Sequence, residues 1–162
     1  MSARTRSIAL GLAAAAAAAL ALRPVAVLDV ENPARGTTFR IPLRDGAFAV
    51  TSQHSMYDAP VTEEFVVGAG GALVLEAVSS PSAAVREYFG LTPAGERHVV
   101  VRAMREIVFR VAAGAPQRLR AAGVERSFLE LGEHGDRLVV RAARAPAVAS
   151  WIALASVPPQ RP

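Results

Sequence analysis

The spacing of hydrophobic residues changes early in the chain. From Ile8 to Leu22 they form an unbroken apolar run, mostly alanine. From Thr37 onward apolar and polar residues alternate in short runs, the period of a half-buried β-strand. Phe48, Val50, Ser52 and His54 fall on one face of such a strand, with Ala49, Thr51 and Gln53 on the other. Val61, Glu63, Phe65 and Val67 repeat the pattern. Val99 and Val101 share a face within 97–102, and Ile107, Phe109 and Val111 share another. Residues 72–78 and 118–121 predict further strands, as do 127–131 and 137–142, which flank a turn over 132–136. Thr37–Leu43 predicts a strand that Pro42, lacking an N–H, places at a sheet edge.

The punctuation agrees. Asp45-Gly46 predicts a two-residue hairpin, residues 68–71 are glycine-rich, and Gly114 and Pro116 mark a loop. Short strands separated by turn signals predict a mostly β domain, a small antiparallel sandwich or barrel of roughly eight strands, behind an N-terminal apolar helix. Ser82–Phe89 departs from the alternation and predicts a short helix capped by Ser82. Val148, Trp151, Ile152 and Ala155 stand at helical spacing in an apolar tail that frays over Pro158–Pro162.

Arg4 and Arg6 precede the apolar run, the order of a secretory signal. As a helix, Ile8–Leu22 would span about 22 Å against a bilayer core of about 30 Å. Residues 1–28 therefore read as a signal peptide, or as an uncleaved anchor if the apolar stretch is carried on to Leu28. The expected organisation is this segment, a β domain over 29–145 that folds from Asp29 onward, and the tail over 146–162. The expected location is outside the cytoplasmic membrane, periplasmic or on its outer face.

The net charge of +4 changes little. All 18 basic residues are arginine; three flank the apolar run, and the other fifteen face 14 acids. No basic patch remains to argue for nucleic acid. There is no cysteine, which excludes a disulfide framework, a thiol nucleophile and a lipoprotein anchor.

The densest polar stretch runs from Gln53 to Phe65. His54 and Ser55 are neighbours in a strand and point to opposite faces, a poor arrangement for a hydrolase pair. His54 could instead meet Glu63 across a hairpin, as a structural pair or as a ligand site. His54, His98 and His134 lack metal-ligand spacing. No cofactor motif is present, and the residues point to no enzyme. Arg102, Arg105 and Arg110 read as the wet side of strands.

The segment His54-Ser55-Met56, Pro60-Val61, Glu63-Glu64-Phe65, followed by Gly71 and residues 73–75, resembles a bacterial family known as domain of unknown function 1850. Its members are small exported proteins encoded beside tripartite TRAP transporters that use a TAXI-type solute-binding protein. Gln53 stands where the family usually has threonine, and residues 79–90 depart from its pattern. The resemblance carries over only motif positions, His54, Ser55, Pro60 and Glu64, to which the hairpin reading adds Glu63. It implies a non-enzymatic accessory protein with TRAP/TAXI subunits as partners. The alternative is a stand-alone binder of a small acidic or metal-bound ligand.

Overall fold

The computed structural model describes residues 3–91 and 95–148, with side chains from residue 11 onward. The apolar spacing seen at Trp151, Ile152 and Ala155, and the end at Pro158–Pro162, lie outside the described residues. A helix α1 covers Ala3–Leu22. Its leucines 12, 20 and 22 are exposed. Among the described residues, no helix is long and apolar enough to cross a membrane.

Among the described residues ten strands follow: β1 Pro24–Asn32, β2 Thr37–Pro42, β3 Ala47–His54, β4 Ala59–Val67, β5 Leu73–Ser79, β6 Arg97–Met104, β7 Ile107–Arg110, β8 Arg118–Ala121, β9 Val124–Ser127 and β10 Arg137–Pro146. Helix α2 spans Ala83–Tyr88 and α3 Phe128–Leu131. The strands form two antiparallel sheets rather than a closed barrel. One has the order β2-β1-β10-β7, the other β6-β5-β4-β3-β8-β9. Their inner faces share one core, in which Leu28, Val30 and Leu138 from the first sheet join Phe48, Phe65, Leu73 and Leu119 from the second. Phe48 and Phe65, opposite each other in β3 and β4, stack at 4.9 Å.

Several sequence expectations hold. Alternation places β3 and β4 correctly, Pro42 closes an edge strand, and the Ser82 hydroxyl caps α2 by accepting from the Val85 N–H. Others need correction. Asp45-Gly46 turns the chain from β2 in one sheet to β3 in the other, so it is not a hairpin turn. Gly46 still needs its left-handed backbone, φ +69°, and its carbonyl accepts from the Val67 N–H at 2.8 Å. Residues 128–131 are not strand: Ser127 and Glu130 form a reciprocal capping box around α3.

The largest correction concerns Pro24–Leu28, assigned above to the N-terminal segment. These residues are the first half of β1, an interior strand. Leu28 pairs with Ala142 on one side and Ile41 on the other, and Val27 and Leu28 are fully buried. A domain begun at Asp29 would lack them.

The end of β1 is held by a buried polar hub. Asn32, with no exposed surface, donates from Nδ2 to the Leu131 carbonyl (3.3 Å) and to Asp136 Oδ2 (2.9 Å). Asp136 Oδ2 also accepts from Arg35 Nε at 2.7 Å and from the Glu133 N–H at 2.9 Å. These donors, that of Asn32 foremost, hold the Asp136 carboxyl down at about 2. A Cβ at Gly132 would come within 2.7 Å of Asn32 Nδ2, which explains the glycine.

Candidate functional site

Strand β3 ends at His54 and returns through Ser55–Asp58 into β4. Gln53 Nε2 donates to Asp58 Oδ1 at 2.9 Å and braces this turn, in which Asp58 takes φ +45°, a conformation aspartate tolerates. His54 pairs with Ala59 and Gln53 with Pro60, while Glu63 lies opposite Val50 and Glu64 opposite Ala49. Four register positions separate the His54 level from Glu63, about 13 Å along the strand. The expected meeting of His54 with Glu63 does not occur, and no histidine–carboxylate cradle forms there.

Each motif residue has its own surroundings. Ser55 and Pro60 are exposed. Glu64 faces outward and is gripped by Arg97, whose Nη2 donates to Oε2 at 2.7 Å, which lowers its pKa through hydrogen bonding. Glu63 shares the inward parity of Val61 and Phe65 and is half-buried. Burial alone raises its pKa, so folding disfavours its charged form. The native state therefore holds the Glu63 proton more tightly than the unfolded chain. The cost is present at neutral pH and disappears as pH falls through the native pKa. Glu63→Gln should raise the urea midpoint at pH 7 and leave it nearly unchanged in acid; parallel unfolding curves at the two pH values check this.

What gathers around His54 is aromatic. Its ring stacks on Tyr57 at 5.1 Å and meets the edges of Tyr88 at 4.8 Å and Phe89 at 6.0 Å. Tyr88 also contacts Tyr57 and Phe89. Both tyrosines of the chain are in this cluster. Helix α2 delivers Tyr88 and Phe89 because its Val85 is buried in the core while its C-terminal end lies over the end of β3. The rings remain open to solvent, Tyr57 at 39%, Tyr88 at 60% and Phe89 at 43%. His54 Nδ1 is buried without a hydrogen-bond partner among the described residues, and so is Arg86 Nε on the same helix. Arg86 spends its NH1 on the Ser80 and Pro81 carbonyls. Among the described residues no three His, Asp or Glu side chains converge on a metal position.

The sequence reading chose His54 but missed Tyr88 and Phe89. The available signal was compositional: an aromatic pair on a predicted helix end, in a chain with few aromatics. His98, not chosen, is buried and bonded to the Gly95 carbonyl; His134 is exposed and accepts from the Ala113 N–H. In comparison with known proteins, the chain matches no family model, no curated protein and no solved structure.

Proposed function

We propose that this chain is a non-enzymatic accessory protein of an extracytoplasmic solute-uptake system of the TRAP/TAXI type. In this reading it is a β sandwich that uses the ring cluster at His54 as its recognition surface. The observation that carries this is the cluster itself. Three rings of substantial exposure surround an imidazole whose buried Nδ1, like Asn32 Oδ1 in the hub, has no hydrogen-bond partner among the described residues. Stability alone gives no reason for that pairing, since an unpaired buried polar atom costs about 1–3 kcal/mol. Aromatic residues are the usual anchors of recognition surfaces. The motif resemblance supplies the partner system. The apolar N-terminal helix, with its exposed leucines, supports a place at the membrane.

His54→Phe separates folding from recognition. It keeps the ring contacts, each worth about 0.5–1.5 kcal/mol, and removes the unpaired nitrogen. The variant should melt at or above the wild-type temperature while solute uptake falls in cells that depend on the transporter. His54→Ala should lose both stability and uptake. A cross-linker placed at exposed Met56 should reach a TRAP/TAXI subunit in wild-type cells and not in the His54→Phe strain. Normal uptake by a well-folded His54→Phe protein would refute the reading.

A further inference from the structure

Among the described residues, the six-stranded sheet ends on its longest open edge strand, β6. Of the four edge strands, β7 and β9 have four residues each, and β2 has six, ends in Pro42 and has Arg40 tied to Asp29. Such shortness, proline and paired charge are the usual means of preventing strand addition. Strand β6 has eight residues and no proline, although its register against β5 shifts between Val99 and Arg102. Its Val99 and Val101 are 75% and 81% exposed, the most exposed large hydrophobic side chains among the described residues. They lie on the outward face of the strand, opposite the buried His98 and the half-buried Val100 and Met104.

The charges within the strand are of one sign, with Glu96 just before it and Glu106 shortly after. Strand β6 has no acidic residue, and the following Glu106 is engaged by Arg141 at 2.6 Å. Arg97 is occupied by Glu64, but Arg102 and nearby Arg105 are exposed and make no ion pair among the described residues. Pairing β6 with a second copy of itself would crowd the arginines of both strands onto one seam without a counter-charge, which cross-strand energetics disfavour. An incoming alternating strand would set an acidic side chain beside Arg102, on the face opposite Val99 and Val101, lay its apolar positions beside those valines, and end near Arg105 just past the strand.

We propose that β6 is a strand-addition site that takes up an extended, acidic, β-branched segment of a partner protein. Main-chain hydrogen bonds to the open edge give the affinity, and Arg102 and Arg105 select the charge. The site is separate from the His54 cluster, and either reading can fail without the other.

Selection on the full chain from a displayed library of random peptides, about ten residues long to match a strand, tests it. Enriched peptides should alternate valine, isoleucine or threonine with aspartate or glutamate. Their synthetic forms should protect the β6 amides in hydrogen exchange and bind more weakly as salt rises. The double variant Arg102→Glu/Arg105→Glu, changed at exposed positions and checked for folding by circular dichroism, should bind about tenfold more weakly. Enrichment of no such pattern, equal binding to the double variant, or protection confined to other strands overturns the proposal. So does self-association that the double variant abolishes, because a second copy would then occupy the edge.

Discussion

A chain begun at Asp29 will fail to fold, and one begun at Arg23 will fold. The difference is Pro24–Leu28, five residues of β1 that pair with β10 on one side and, from Val27, with β2 on the other. Removing them takes away the fully buried Val27 and Leu28, worth about 1.5–3 kcal/mol each. It also strips ladder partners from both neighbours, at about 0.5–1.5 kcal/mol per hydrogen bond. Together these losses approach the total stability of a small domain, about 5–15 kcal/mol. Near-ultraviolet circular dichroism and limited proteolysis of the two chains decide the matter. A cooperative melt from the chain begun at Asp29 would mean that β1 contributes far less than its burial indicates.

Replacing Asn32 by leucine should destabilise the fold by about 2–4 kcal/mol, although leucine is similar in size and more apolar. The cost comes from the buried Leu131 carbonyl left without its donor; separately, Asp136 loses the first of the contacts that hold its pKa down. The acid limb reports the second effect. A carboxyl near 2 in the native state and 3.8 in its ordinary state contributes stability that is fully present above 3.8 and is lost as pH falls through about 2. In Asn32→Leu the native pKa moves back toward 3.8, so the variant should show less acid dependence than wild type over that window. Gly132→Ala should resemble it in kind, because its Cβ displaces the Asn32 amide. Urea midpoints at neutral pH and below 4 check both variants; parallel acid limbs for wild type and Asn32→Leu would show that the hub does not set the Asp136 charge.

Elements that face solvent on one side were legible in the sequence. Phe48 and Val50, Val61 and Phe65 announce their strands because the residues between them face outward. The first half of β1 lacks that alternation: Val27 and Leu28 are consecutive and both buried, so the stretch reads as a continuation of the apolar run before it, and only Asp29 and Glu31 further on alternate with buried residues. Turn chemistry at Asp45-Gly46 reported the backbone correctly, φ +69° at the glycine, but a turn signal does not say which sheet the next strand joins. The capping box Ser127-x-x-Glu130 was in plain sight and was overridden by the apolar residues inside it. At the candidate site, His54 and Tyr57 stood close in sequence, whereas Tyr88 and Phe89 reach them only through the packing of Val85, which no local pattern encodes.

Strand β1 takes β10 as a neighbour along nearly its whole length, Pro24 opposite Pro146 and Glu31 opposite Val139. Of the described strands, β10 is the last to be synthesised, so β1 and β2 wait as an open hairpin while the rest of the chain is made. Pairings that close so large a loop form slowly, because the chain loses conformational entropy before the contacts repay it. The four-stranded sheet consequently stays open until β10 arrives, whereas β3, β4, β5 and β6 pair with sequence neighbours and can close before it.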